Sequence, residues 1–371
     1  MSRQKCKVSN KEIPNPLNTG FQFHCSSILP LPAFSSVSPP MNSYSCPNES
    51  ALLITHHEFC KPTPKFPLGL VSESYRPYLE LIRIEKPTGT ILMFWPFAWG
   101  LTMAAYATSL TPGVYALNLA KALVGAFILR SSACTINDIF DRKVDAGVDR
   151  TRNRPLPSGR ISVLAATVYL IFQYALGVAF FYLSEDGAAF GVALFQLIPL
   201  FAIYPLLKRV THWPQAWLGL AMNFGFVTAW ISVSSTVNYP MLSMAMASCW
   251  CWTMLYDTVY ACQDIKDDVN MGVRSTAILF GTWIRPLLIT CGLAFAMTLA
   301  VAGHLNNQGA PFFIISVGGT FIHLVWQFTT VDLDVPKSCG MNFIRNGQLG
   351  WIIWGGLALD YIFSLCETAT V

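Results

Sequence analysis

Charge is what this chain has least of. Only 12% of its 371 residues are Asp, Glu, Lys or Arg, against about 25% in an average soluble domain. That scarcity argues against a water-soluble globular fold. The net charge of +4 gives no basis for a nucleic-acid partner. The eleven cysteines contain no CxxC pair and no metal-ligand spacing, which excludes a zinc ribbon or a redox dithiol motif. Cys249 and Cys251 lie inside an apolar run and read as buried thiols. No secretory signal is evident. As a mitochondrial transit peptide the N-terminal segment is poor, because Arg3 is its only arginine and Glu12 and Glu49 interrupt it.

Long apolar runs take the place of charge. From Thr88 onward, nine stretches recur near 88–107, 114–136, 161–183, 187–207, 215–235, 239–262, 286–303, 310–329 and 349–365. Each has about the 20 residues that a helix needs to cross a bilayer. Loop charge supports the count. Arg142, Lys143, Arg150, Arg152, Arg154, Arg160, Lys208, Arg209, Lys266, Arg274, Lys337 and Arg345 fall in alternate loops, whereas the loops at 108–113, 184–186, 236–238 and 304–309 hold no Lys or Arg. This positive-inside pattern puts the N-terminus on the basic side and the C-terminus opposite. The expectation is an all-α integral membrane bundle of about nine helices over residues 76–371. Residues 1–75, rich in Pro, Ser and Asn, read as a disordered tail. The segment YRPYLELIRIEK (75–86) is amphipathic enough to lie on the membrane surface. Delivery to the endoplasmic reticulum is expected, with the mitochondrial inner membrane as the alternative.

Seven of the twenty acidic residues sit in two clusters that close apolar runs: NDIFDRKVD (137–145) and YDTVYACQDIKDD (256–268). Carboxylates at the end of a membrane helix are costly without a metal or a basic partner, so they mark a candidate site. Arg130, Asn137, Asp141 and Asp145 follow one another by 7, 4 and 4 residues and share a helix face. Asp257, Asp264 and Asp268 follow by 7 and 4 and form a matching stripe. Oxygen donors of this kind suit Mg²⁺, which keeps some waters and bridges to phosphate oxygens. Arg150, Arg152, Arg154, Lys208 and Arg209 lie on the same side. They either neutralise a diphosphate or anchor anionic headgroups.

The segments NDIFDRKVDAGVDRTRNRPLPSG, YPLLKRVTHWPQAWLG, YDTVYACQDIKDDVNMGVRSTAILFG and IRIEKPTGTILMFWPFAWGL resemble the signature regions of the UbiA superfamily of intramembrane aromatic prenyltransferases, over residues 76–366. The resemblance implies nine transmembrane helices around a central cavity. It assigns Asn137, Asp141 and Asp145, with Asp138 beside them, to a first Mg²⁺–diphosphate motif, and Asp264 and Asp268 to a second. Arg150 and Lys208 become diphosphate contacts, and Arg130 the arginine that receives the acceptor's carboxylate. Arg130 read alone also fits an arginine snorkelling at a helix end.

The implied chemistry is loss of diphosphate from an allylic donor, followed by attack of a phenol ring carbon. Tyr256 and Tyr260 are candidates to face the cation, or simply to pack. Asp257 is the candidate proton acceptor. Two branches of the family fit. One joins farnesyl diphosphate to a phenolic aromatic acid of polyketide origin in meroterpenoid biosynthesis. The other is the mitochondrial 4-hydroxybenzoate polyprenyltransferase of ubiquinone biosynthesis. Cys262, where eukaryotic ubiquinone enzymes often show histidine, and the divergent WCWTML (250–255) favour the first. A cation transporter is disfavoured, because its acids belong near the membrane midplane rather than beside a basic loop.

Overall fold

The computed structural model describes residues 66–370, and the expected disordered tail lies largely outside the described residues. Every regular element among the described residues is helical. Among the described residues nine long helices form the bundle: α1 (Thr88–Thr108), α2 (Pro112–Asp145), α3 (Val163–Ser184), α4 (Gly187–Val210), α5 (Pro214–Val233), α6 (Tyr239–Ala261), α7 (Thr276–Leu305), α8 (Phe312–Thr330) and α9 (Pro336–Thr370). Among the described residues, eight are long and apolar enough to cross a membrane. The exception is α6. Its 23 residues span roughly 34 Å at the rise of an α-helix, but its sequence carries Ser, Thr and Asp. It packs on α7, the first half of α5 and α9, with Trp252, Met254, Tyr256 and Thr258 buried. A helix enclosed by other helices does not need a fully apolar surface.

The starts of the helices follow from local chemistry. Proline opens α2, α5 and α6, where its missing N–H costs nothing. Ser162 and Asn238 accept from the backbone N–H of Ala165 and Met241 and cap α3 and α6. Inside α4, Pro199 sits in a π-helical turn (Gln196–Leu200), and Gln196 Nε2 donates to Ala221 O of α5 (2.8 Å). Outward faces are apolar, as at Leu164, Ile171 and Phe172 of α3 and Ile322 of α8, which suits contact with lipid. The chain is an integral membrane protein.

Three helices run further than their apolar stretches. The second expected span ended at 136, yet α2 continues to Asp145; α7 begins at Thr276 and α9 at Pro336. Hydropathy marks where lipid contact ends, not where helical hydrogen bonding ends. The extra turns matter because they carry the polar residues into one end of the bundle. The amphipathic segment forms a short helix, Arg76–Leu81. Arg76 Nε donates to Leu68 O (3.0 Å) and Val71 O (3.1 Å), which ties this helix to the short turn at Leu68–Leu70.

Candidate active site

The C-terminal ends of α2, α4 and α6 meet the N-terminal ends of α1, α5 and α9 around a cavity of about 390 Å³. Every residue of the α2 stripe lines it: Arg130, Asn137, Asp141 and Asp145. So do Asp257, Asp264 and Asp268, together with Arg150 and Lys208. All nine candidate site residues therefore come together in one space.

The second stripe needs a correction. It is not one continuous helix face. Gln263 Nε2 donates to Tyr260 O (3.0 Å) at the end of α6. Asp264 then lies in a 3₁₀ turn (Cys262–Asp264), and Asp268 in a separate short helix (Ile265–Asn270). The turn redirects the chain but keeps both carboxylates on the cavity wall.

The acids are met by cations from other elements. Lys208 Nζ donates to Asp141 Oδ2 (2.9 Å) and Asn137 Oδ1 (3.1 Å). Arg150 Nε donates to both oxygens of Asp264 (3.0 and 3.2 Å), its Nη2 also contacts Asp264 Oδ2, and its Nη1 donates to Tyr260 OH (2.9 Å). Arg154 Nη1 donates to Asp145 Oδ2 (2.7 Å). Asp138 does not join the oxygen donors on the α2 stripe. It is fully buried and receives Arg83 Nη2 at 2.6 and 2.7 Å, with Arg154 Nη1 at 3.3 Å, so it anchors two arginines of the cavity rim.

Asp268 forms no ion pair among the described residues. Burial, and then the nearby Asp264 charge, push its carboxyl up to about 6. Opposite charge accumulates at Lys86, where burial and the Arg83 guanidinium hold the ammonium below its usual range. Asp268 on one wall and Lys86 on another are thus groups whose charged forms burial disfavours.

The donor set fits Mg²⁺ on chemical grounds. Asn137, Asp141 and Asp145 on one wall, and Asp264 and Asp268 on the other, offer only hard oxygen atoms. Among the described residues no three acidic, His or Cys side chains converge closely enough to hold a metal alone.

Three residues of this cavity were not singled out from the sequence: Tyr204, Arg83 and Lys86. Tyr204 lies four residues before Lys208, whose Nζ sits 4.7 Å from its ring centroid; the i, i+4 spacing was the available signal. Arg83 and Lys86 belong to the segment read as a surface helix. Of the two tyrosines proposed to face a cation, Tyr260 already has the Arg150 guanidinium 5.1 Å from its ring. Tyr256 lines the cavity while packing edge-on against Trp252 and Phe343.

The sequence profile of the UbiA prenyltransferase family matches residues 93–352. The chain belongs to this family. A UbiA prenyltransferase, claS, from Ampulloclitocybe clavipes is 44% identical over 292 residues, covering 78% of this chain and 92% of that protein. A mitochondrial 4-hydroxybenzoate polyprenyltransferase from Drosophila pseudoobscura pseudoobscura is 38% identical over 352 residues, covering 92% and 87%. The fold matches a UbiA homolog from Archaeoglobus fulgidus bound to GPP and Mg²⁺ with a TM-score of 0.56 at 20% identity, over 80% of this chain and all of that one. As a UbiA prenyltransferase the chain is an enzyme that transfers prenyl groups, and the family expectation from the sequence holds.

Proposed function

We propose that this enzyme transfers a farnesyl group from farnesyl diphosphate to a ring carbon of a phenolic aromatic acid of polyketide origin, in meroterpenoid biosynthesis. The observation that carries this reading is the coexistence in one cavity of two oxygen-donor clusters, a ring of cations, and Arg130, which forms no ion pair among the described residues and whose buried Nε has no hydrogen-bond partner there. The clusters and cations suit a metal diphosphate, and the unpaired arginine suits an acceptor's carboxylate.

Asn137, Asp141 and Asp145 would hold one Mg²⁺ and Asp264 and Asp268 a second. Bound there, Mg²⁺ supplies positive charge to the leaving diphosphate. Lys208 and Arg150, which pair with Asp141 and Asp264, lie where they would contact the phosphate oxygens of a bound donor. Arg154, Arg83 and Lys86 complete the cationic rim. The allylic C–O bond breaks with its electron pair leaving on diphosphate. The phenol ring carbon then bonds to the freed prenyl carbon, and the ring loses its proton. Asp257, which lines the cavity and makes no ion pair among the described residues, accepts that proton. Phe201, Leu218 and Met222 form an apolar wall that keeps water from the cation. Arg130 holds the acceptor by its carboxylate.

Support for the polyketide-acid branch comes from the higher identity to claS, whose name carries no 4-hydroxybenzoate designation, and from Cys262. Residence in the endoplasmic reticulum goes with this reading. The second reading, a mitochondrial 4-hydroxybenzoate polyprenyltransferase, is favoured by a 38% identical relative of that name.

Microsomes expressing the chain separate the two. Farnesyl diphosphate and Mg²⁺ are offered with orsellinic acid in one tube and 4-hydroxybenzoate in another. Prenylated orsellinic acid alone is the expected product. Prenylated 4-hydroxybenzoate alone, with preference for longer donors, gives the second reading.

A further inference from the structure

Gly89 is the second residue of α1, and it lines the cavity beside Arg130. A Cβ at this position would collide with Arg130 Nε and would lie 2.6 Å from Nη2 and 2.7 Å from Cζ. The optimal separation of non-bonded heavy atoms is about 3.5–4.0 Å. The guanidinium therefore rests against the backbone of the first turn of α1, in space that only glycine leaves.

The backbone itself gives no reason for glycine. Gly89 is helical and does not belong to the residues with positive φ. Glycine is a weaker helix former than alanine, so this residue serves its neighbour more than it serves the helix. That neighbour is unusual among the arginines of the cavity. Arg83, Arg150 and Arg154 each grip a carboxylate, and Arg274 donates to Val210 O (2.8 Å). Arg130 forms no ion pair among the described residues, and its buried Nε has no hydrogen-bond partner. No ion pair among the described residues aims it, so what it packs against helps to set its direction.

We propose that Gly89 is a positioning residue for acceptor specificity: by leaving space for the Arg130 guanidinium, it fixes that cation where an aromatic acid's carboxylate docks. The proposal rests on the reading of Arg130 as the carboxylate's partner. It extends acceptor recognition from α2 to the start of α1. Any side chain at residue 89 displaces the far end of a flexible arginine rather than the backbone, so the fold tolerates the change while the recognition geometry does not.

The test is Gly89→Ala, alone and combined with Arg130→Ala, in the full chain in microsomes. Orsellinic acid and 4-hydroxybenzoate are the acidic probes, and orcinol and phenol are their counterparts without the carboxyl. Gly89→Ala is expected to raise KM for the acid that the wild type uses by about tenfold or more. The KM for farnesyl diphosphate and any turnover of the decarboxylated phenol should stay at wild-type values. In the Arg130→Ala background, Gly89→Ala should change nothing further. Wild-type KM for the acid in Gly89→Ala, or an added loss in the double variant, would overturn the positioning role. An equal loss on orcinol or on the donor would reduce Gly89 to a packing residue. If the wild type prenylates neither acid, the acceptor reading fails and takes this proposal with it. If it prenylates one and Arg130→Ala weakens that acid, a silent Gly89→Ala defeats this proposal alone.

Discussion

The bundle buries aspartate at both of its ends, and the partners differ. At the end without the cavity, Asp360 on α9 accepts from Gln308 Nε2 (2.7 Å) and Gly309 N (2.8 Å). Nearby, Asn306 Nδ2 donates to Met103 O (3.0 Å), and the Tyr361 hydroxyl donates to Leu110 O. Neutral donors fixed in the chain satisfy this carboxylate, and they tie α1, α9 and the α7–α8 loop together. At the cavity end, Asp141, Asp145 and Asp264 are held by Lys208, Arg154 and Arg150 on long, movable side chains around open space. A buried carboxylate is thus no sign of a site by itself. The site is marked by partners that can be exchanged for a ligand, and by room for that ligand.

Substitutions at the two ends test this contrast. The largest effect is expected at the cavity: Asp141→Ala or Asp264→Ala should lower product formation by about a hundredfold to a thousandfold or more, with the protein still folded in membranes. Chelation of divalent cations should do the same to the wild type, and added Mg²⁺ should restore it. Product formation at the wild-type rate by either variant would remove the metal assignment.

Lys208→Ala comes next. It removes a cation that faces Asp141 in the ligand-free state and phosphate in the proposed complex, so kcat/KM for the donor should fall by about tenfold to a hundredfold. The KM for the aromatic acceptor, measured at saturating donor, should change little. A loss confined to the acceptor would place Lys208 in the wrong half of the cavity.

The smallest effect on catalysis is expected from Asp360→Ala. Losing the acceptor of two buried donors should cost about 1–3 kcal/mol per unsatisfied group, read as a lower unfolding temperature in detergent, with kcat close to wild type. An Asp360→Ala enzyme as inactive as Asp141→Ala, yet equally stable, would erase the distinction between the two ends.

Much of the site was legible in residue spacing. The intervals of 7, 4 and 4 from Arg130 to Asp145 required only that the helix continue, and α2 does continue past its apolar stretch. The second cluster was legible as a group but not as a shape, because Asp264 and Asp268 leave α6 through a turn that the i, i+4 pattern does not reveal. Arg83 and Lys86 were hidden for another reason. An amphipathic segment looks alike whether its basic face meets headgroups or the mouth of a cavity.

The order of residues was enough to establish a helical membrane protein, the spacing of its helices, and two acidic motifs sharing one side with a set of basic residues. Those properties are one-dimensional: run length, period and the alternation of loop charge all follow from the order of residues. Only the packed bundle reveals which cation meets which acid, that Asp138 anchors arginines apart from the α2 stripe, and that Arg130, with no ion pair among the described residues, lies against Gly89. These depend on distances between residues far apart in the chain, and only the packing of the helices sets such distances.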